Sequence, residues 1–431
     1  MPPAIAPLPA VGDGYRALVA GAGPSGSLAA LGLAAAGWTV TLVDPLQAEG
    51  LEQRRRVYAL THSSQQLLEG LGLWQLLAPH CQPFSNLRLC DPEACGHVRF
   101  GMDDLPGALR HDKDVGKHRQ ALGWTLAHAA LMRCLLRHCA DHPAIDLRLG
   151  QRLDLDERQQ PLIAGRPCGG TPLLLLADGH GSPLRRCLGI PSVGWSYGQV
   201  CVTSQVQIRS SRPWQAWEQL RAEGPFALLP LGGDLQQIVW SAPPERARQL
   251  TAMDPNRFLD ALADVLPPQL QPQLVAVPAQ QFPVQLRLAL RLRQGRCLLI
   301  GEAAHCSHPV GGQGMNLCWR DVQTLLGLAR ACREGHISET QLLRRYPRRR
   351  WPDLLTTLLA TDLLVRTFSN RNPLLLPLRQ LMMGLLNRSV LLRRCALGAM
   401  TLGLLPPGSR RRRRRPGGSS LLALPGRSPW R

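Results

Sequence analysis

The residues of this chain whose types and spacing suit chemistry are three glycines at Gly21, Gly23 and Gly26, an acid at Asp44, and a second glycine cluster at Gly311, Gly312 and Gly314. The chemistry they suggest is binding of a phosphorylated cofactor. In the segment GAGPSG, which includes Pro24 and Ser25, the spacing is G-x-G-x-x-G. The first glycine permits a tight turn, the second lets a pyrophosphate reach the backbone, and the third lets helix and strand pack closely. The N–H groups that open the following helix then face the phosphates. Asp44 stands where an acid accepts the ribose hydroxyls of an adenosine cofactor. The second cluster belongs to GEAAHCSHPVGGQGMN, in which Gly301 and Glu302 end a short apolar run and Pro309 precedes the glycines. Residues Gly311, Gly312, Gln313, Gly314, Met315 and Asn316 form a loop running into a helix from about Met315. Its N–H groups suit an anion or an electron-rich ring. His305 and His308 have two readings open to them, proton shuttle or structural residue, because geometry must precede any acid–base assignment. The spacing HCSH is too crowded for a structural zinc site and has no second ligand pair, so no metal is expected.

These residues need elements to hold them. Residues 17–20 read as a buried strand, the alanine- and leucine-rich stretch up to Gly37 as a helix, and residues 38–43 as a second strand. Residues 17–43 carry no charge and are long enough to span a bilayer, but three glycines, a proline and the change of periodicity argue against a membrane helix. The spacing predicts a single helix over 59–77 with Ser63 or Ser64 as its N-cap. It predicts strands within 86–100, a polar loop over 101–119 and a helix over 126–139. Four leucines before Asp178 and Gly179 form another buried strand, followed by Ser182 and Arg185. Residues 197–240 alternate as antiparallel strands do, a change of architecture, and 256–265 read as a helix. Residues 297–300 return to the style of the first strand.

Composition bounds the rest. At 431 residues the chain can bury a sizeable core in two or three domains. The net charge is +20, and all the basic residues except Lys113 and Lys117 are arginine. Such a balance suits nucleic acid, an anionic membrane surface or acidic ligands. Aromatic residues are only 5% and are not interleaved with the arginines, so no specific nucleic acid partner is expected. The thirteen cysteines contain no C-x-x-C, and the N-terminal stretch has neither the basic start nor the apolar core of a secretory signal. The expectation is a reducing, cytoplasmic setting, with the protein peripheral on the inner face of a membrane.

Taken together, GAGPSG with Asp44, ADG with Ser182 and Arg185, and GEAAH running into HPVGGQGMNL resemble the three motifs of the class A flavoprotein monooxygenases, the group built like para-hydroxybenzoate hydroxylase. The segments GPFALLPL, IVWSAPPERARQL and TDLLVRTFSN resemble the ubiquinone-biosynthesis hydroxylases of the 2-polyprenyl-6-methoxyphenol type, over roughly residues 16–405. The resemblance implies an α/β fold: a Rossmann-like FAD-binding domain with an inserted, mostly antiparallel β-sheet substrate domain and C-terminal helices. The expected division is a discontinuous FAD domain at 16–85, 116–185 and 290–345, a substrate domain at 86–115 and 186–289, a helical region at 346–405 and a disordered basic tail at 406–431. FAD is the implied cofactor, and NAD(P)H the co-substrate, docking without a Rossmann domain of its own. The reduced flavin would bind O₂ and deliver one oxygen atom to a phenol ring, with a prenylated phenol as substrate. Arg56, before VYAL, would lie near the flavin, and Asp178 near the cofactor and the nicotinamide route. Pro309 and the loop 311–316 would separate flavin from substrate. Two positions depart from the family pattern: Glu302, where aspartate or asparagine is usual, and Ala127, where glutamate is common.

In 352–405 leucine-rich stretches are interrupted by Arg366, Arg371, Arg379, Arg388, Arg393 and Arg394. Their arginines can face anionic headgroups while the leucines enter the interface, or the helices can simply pack on the FAD domain. A flavoprotein of the same fold acting as a reductase or halogenase would carry the same motifs. Substrate-dependent O₂ consumption separates it from a hydroxylase.

Overall fold

The computed structural model describes residues 14–110, 121–170 and 172–403. The six consecutive arginines from Arg410 and residues 111–119 of the expected 101–119 loop lie outside the described residues, and the described part of that loop carries the short helices Met102–Asp104 and Gly107–Arg110. A six-stranded sheet carries the first motif, in the order Arg293–Gln294, Cys297–Leu299, Leu173–Leu176, Arg16–Ala20, Thr39–Asp44, Ile145–Leu149. All neighbours run parallel except the short edge strand Arg293–Gln294. The apolar runs explain the topology: Leu173–Leu176 is buried at every position, as a parallel strand covered on both faces must be. Each such leucine contributes about 2 kcal/mol of burial. The alanine- and leucine-rich Pro24–Ala35 helix returns the chain from Arg16–Ala20 to Thr39–Asp44 and is itself almost wholly buried.

The alternating segments form a separate eight-stranded sheet, in the order His305–Cys306, Gln271–Ala289, Ser192–Arg209, Leu235–Ala242, Phe226–Gly232, Gln215–Gln219, Asn86–Asp91, Gly96–Phe100. Its pairs are antiparallel apart from Gln215–Gln219 with Asn86–Asp91. One face has its own apolar core, where Val202, Ile238 and Trp240 meet Leu250, Phe258 and Leu262 of the helices Pro244–Ala252 and Pro255–Ala263. The other face is turned towards the FAD-type motifs.

Three sequence expectations need correction. The stretch 59–77 is not one helix: Val57–Leu60 is a strand, followed by the helices His62–Gly70 and Trp74–Leu77. Thr61 is the N-cap residue, and Ser63 and Ser64 lie buried in the first turn. Residues 123–127 pair with Val57–Leu60 as a strand, so the helix begins only at His128 and runs to Asp141. In each case a short β segment with helix-compatible spacing was captured by a tertiary partner. Past the sheets the chain forms the helices Gln313–Arg333, Glu339–Phe368, Leu376–Arg388 and Val390–Leu402. Among the described residues no helix is long and apolar enough to cross a membrane.

Candidate active site

The carboxyl ends of the parallel strands and the free face of the eight-stranded sheet enclose a cavity of about 860 Å³. That is where an open α/β sheet binds ligands, and the volume falls within the roughly 300–1,000 Å³ usual for small-molecule sites. Gly21, Gly23, Pro24, Ser25 and Asp44 form one end of its wall. Gly21 turns the chain with φ +100°, and its N–H donates to Val43 O at 2.7 Å, the last bond of the pairing between Arg16–Ala20 and Thr39–Asp44. A Cβ on Gly26 would stand 1.8 Å from Gly21 O, so Gly26 faces the strand and not the cavity. A Cβ on Gly23 would meet no protein atom within 4 Å. The space in front of Gly23 is open to a ligand. Asp44 accepts the Ala22 N–H at 2.7 Å and the Leu46 N–H at 2.8 Å, which aims the carboxylate and leaves lone pairs towards the cavity. Burial pushes its pKa up, against those two N–H groups.

The second motif is tied to the third. Asp178 lines the cavity and accepts hydrogen bonds from Ser182 Oγ at 2.6 Å and Leu184 N–H at 3.2 Å. Ser182 caps the Pro183–Cys187 turn through Arg185 N–H, and the buried Arg185 guanidinium donates to Ala303 O at 2.9 Å. Ser182 and Arg185 therefore brace the site from behind.

In the third motif, Glu302, Pro309, Gly311 and Gly312 line the cavity, as do Gln313, Gly314 and Met315 at the start of the Gln313–Arg333 helix. Gly311 and Gly312 have φ +67° and +61°, a conformation that favours glycine. Gln313 Nε2 donates to Gly311 O at 3.1 Å and Met400 O at 3.3 Å, so the C-terminal Val390–Leu402 helix closes over this loop. Arg56 reaches Glu302 at 3.8 Å and lies over the Phe282 ring at 5.2 Å.

Gly301, Asn316 and His305 do not line the cavity: the first two depart from the cofactor contacts expected of them, and His305 takes the structural one of its two readings. Asn316 is fully buried: Oδ1 accepts from Thr61 N–H and Ser64 Oγ, while Nδ2 donates to Ala59 O and Gly312 O. It clamps the Val57–Leu60 strand to the glycine loop. His305 is 2% exposed and donates from Nε2 to Asp321 Oδ2 at 2.8 Å. Gly301 N–H donates to the same oxygen at 2.8 Å. Asp321 Oδ1 accepts from Arg350, which also pairs with Asp353, and Asp353 holds Arg320. His305 thus belongs to a buried network behind the loop and does not line the cavity. His308 is structural too: Nε2 donates to Gln199 Oε1 and Nδ1 accepts the Val310 N–H, which assigns a neutral ring, and burial pushes its pKa down to about 3. Ala127 is outside the wall as well, ending its strand before His128.

Sequence reasoning missed Tyr58, His128 and Glu218. Tyr58 lines the cavity and contacts His128 Nδ1 at 2.7 Å, while His128 Nε2 contacts Leu51 O at 2.7 Å. A carbonyl only accepts, so Nε2 carries the ring proton and the Tyr58 hydroxyl donates to Nδ1. Burial lowers the His128 pKa and raises that of Tyr58, which keeps both neutral. No sequence signal marks these pairings, because the partners lie on separate elements.

Residues 15–354 match the FAD binding domain family. The chain is 32% identical to the 3-demethoxyubiquinol 3-hydroxylase of Escherichia coli over 392 residues, covering 88% of this chain and 96% of that protein. It is an FAD-dependent hydroxylase of the ubiquinone-biosynthesis family. The ubiquinone hydroxylase UbiL of Rhodospirillum rubrum is 30% identical over 406 residues, with 90% of this chain and 91% of that protein covered. The fold matches p-nitrophenol 4-monooxygenase of Pseudomonas putida with a TM-score of 0.69 at 18% identity, covering 89% of this chain and 97% of that one. It also matches Klebsiella pneumoniae HpxO complexed with FAD and uric acid, with a TM-score of 0.66, 18% identity and coverage of 91% and 97%. The FAD-type motifs of this hydroxylase fit the cofactor: the open cradle at Gly23, the aimed Asp44 carboxylate and two helix N-termini all face the cavity.

Proposed function

We propose that the protein hydroxylates a phenol ring bearing a prenyl tail, consuming NAD(P)H and O₂. One observation carries this reading: a polar, glycine-lined end with cofactor features continues directly into a mostly apolar sheet face within one cavity. Bound FAD supplies reduction by NAD(P)H and activation of O₂. The chain's own residues do the rest. The Gly23 backbone would admit the pyrophosphate, Asp44 would accept the ribose hydroxyls, and the first-turn N–H groups of Gln313, Gly314 and Met315 would face the flavin ring, the Gly311 and Gly312 N–H groups being held by Glu218 and Pro309 O. Pro309 and the same loop divide cofactor from substrate. Leu229, Val239, Phe282 and Leu397 exclude water from the ring, so that activated oxygen is spent on substrate. With a panel of prenylated and simple phenols, the purified enzyme should yield products that have gained one oxygen atom from O₂, with O₂ uptake dependent on the phenol. NAD(P)H oxidation without oxygen incorporation for every phenol would make it a reductase.

Glu302 provides a second test. The Arg56–Glu302 pair is about 40% exposed, so it is worth only about 0.2–1 kcal/mol. Glu302→Asp restores the family's residue and should keep FAD retention within about five-fold of the starting protein. A large loss of flavin, read by absorbance after gel filtration, would show that the loop is built around the longer side chain.

For access to a lipid-like substrate, the reading places the C-terminal helices on an anionic membrane surface. Leu359, Leu363, Leu374 and Leu391 are 62%, 64%, 82% and 69% exposed, and Arg371 and Arg388 are exposed near them in the chain. Not all the arginines serve this purpose. Arg379 is buried, donating to Thr367 O and Asn370 O, and Arg393 pairs with Asp104. Replacing Leu359 and Leu363 together by serine should weaken co-sedimentation with anionic liposomes by about 2 kcal/mol, roughly thirty-fold, without loss of FAD. Unchanged binding, or none by the parent protein, would remove this role.

A further inference from the structure

The cavity face of the eight-stranded sheet is mostly apolar, with Thr203, Gln237 and Gln285 as its neutral polar side chains and Glu218 as its one acid. Register places Leu87 beside Ala216, Glu218 beside Ala227, and Ala227 beside Val239, and all five line the cavity. Glu218 lies in the wholly buried strand Gln215–Gln219 and is itself 7% exposed. Its Oε1 accepts the Gly311 N–H at 2.9 Å, across 93 residues of sequence. That bond joins the substrate sheet to the glycine loop of the FAD-type motif. It is the only hydrogen bond to this carboxyl among the described residues, and Oε2 is not among the buried atoms lacking a partner. The second oxygen therefore opens to the cavity. A carboxylate beside Ala216, Ala227 and Val239 costs desolvation that a single N–H on Oε1 offsets only in part, so the free Oε2 calls for a ligand.

We propose that Glu218 is a catalytic residue that receives the hydroxyl of the aromatic substrate: Oε2 accepts the ring O–H hydrogen bond and takes its proton as oxygen enters the ring. The inference rests on the hydroxylase reading above. As a ring carbon bonds to the incoming oxygen atom, the phenol O–H bond breaks and the proton forms an O–H bond to Oε2. The electron pair left on the phenol oxygen moves into the ring and leaves a ring carbonyl. The attacked carbon then loses its own hydrogen as a proton, aromaticity returns, and Glu218 gives its proton back to the carbonyl oxygen. The oxidant is the flavin-activated O₂ of the family's reaction: its O–O bond breaks as the ring C–O bond forms, the second oxygen atom leaves as water with the proton released by the ring carbon, and Glu218 undergoes no net change. The fixed Oε1 sets the ring hydroxyl relative to the glycine loop, and hence decides which carbon faces the flavin.

The ionisation of this carboxyl suits the task. Burial pushes its pKa up to about 7, with the Gly311 N–H acting against the rise. The titratable groups on the elements around it are Arg88, Cys90 and Asp91 on the neighbouring strand, His308 in the loop and Arg393, Arg394 and Cys395 on the last helix. Elsewhere around the cavity stand Arg54, Arg56 and Arg152, the acids Asp44, Asp178 and Glu302, and Tyr58, His180, Cys306 and Cys318. None of these figures among the causes of the shift. A base with a pKa near the working pH combines availability with strength.

The test compares the holoenzyme with Glu218→Gln and Glu218→Asp, using a short-chain 2-prenylphenol as the probe. The amide oxygen of Gln can still accept the Gly311 N–H, so FAD content and the rate of flavin reduction should stay within about two-fold. Hydroxylated product should fall by about 100-fold. In the parent enzyme kcat/KM should decline as the pH drops below about 7, because a protonated carboxyl cannot take the proton. That acidic limb should vanish in Glu218→Gln and return, with part of the activity, in Glu218→Asp. Product formation by Glu218→Gln within about three-fold of the parent with the limb intact would overturn the proposal. Loss of FAD from Glu218→Gln would overturn it too, by assigning the residue to the loop alone. Absence of hydroxylated product from the parent enzyme with every phenol would instead defeat the hydroxylase reading itself.

Discussion

Replacing Asp321 by asparagine should destabilise the protein by about 3–5 kcal/mol, the cost of breaking a buried pair by removing one charge. Asp321 is 1% exposed, and every group that meets it is a donor: Arg350 at 2.6 Å on Oδ1, and His305 and the Gly301 N–H, each at 2.8 Å, on Oδ2. An asparagine keeps one acceptor oxygen but turns an NH₂ group towards donors on the other side. Arg350 would be left with Asp353, which already serves Arg320. Burial alone would raise the Asp321 pKa, but His305 and Arg350 outweigh it and hold the carboxyl below its ordinary range. Because the folded pKa is depressed, this group's contribution is complete above the ordinary carboxylate range. It is lost as the pH falls through the lower folded value, where the unfolded chain has already taken up the proton. Denaturant unfolding should therefore show a lower midpoint for Asp321→Asn at neutral pH and a narrowing gap between variant and parent in acid. An unchanged midpoint at neutral pH would mean that the network does not support the fold. FAD retention should fall with stability, since Gly301 and His305 position the GEAAH turn.

Gly23→Leu should remove FAD almost completely while leaving the fold intact. Gly23 has φ −67°, which any residue adopts, and a side chain there meets no protein atom near its Cβ. What it would meet is the pyrophosphate. Gly26→Ala provides the contrast, because its Cβ would stand 1.8 Å from a backbone oxygen that cannot withdraw. The expected results are a colourless but cooperatively folded Gly23→Leu protein and a Gly26→Ala protein impaired in both respects. Absorbance of the flavin and the unfolding midpoint, measured on each variant, separate the two effects. A Gly23→Leu protein that remains yellow and fully loaded would show that the pyrophosphate lies elsewhere.

The amino-acid sequence by itself determined the cofactor end of this protein. The βαβ unit, the spacing of Gly21, Gly23 and Gly26, Asp44, and the ADG and GEAAH segments are local patterns, legible from the order of strand, turn and helix. The alternation in 197–240 likewise declared an antiparallel sheet, since period two follows from strand geometry. Tertiary structure decided what those local rules do not contain. Strand alternation puts Glu218 on a face but does not say that the face borders a cavity, nor that Gly311 lies across from it. Thr61 became the N-cap residue, and Ser64 a partner of Asn316, because a strand formed where spacing alone suggested helix. His305, next to a glycine loop in sequence, was drawn away by an aspartate sixteen residues on and an arginine from the following helix. Among six arginines of similar leucine-rich setting, Arg379 is buried and Arg388 exposed. The physical reason is common to all of these. Burial and charge pairing depend on which surfaces meet, and a carboxylate or guanidinium has the same sequence signature whether it faces water, a partner or a substrate.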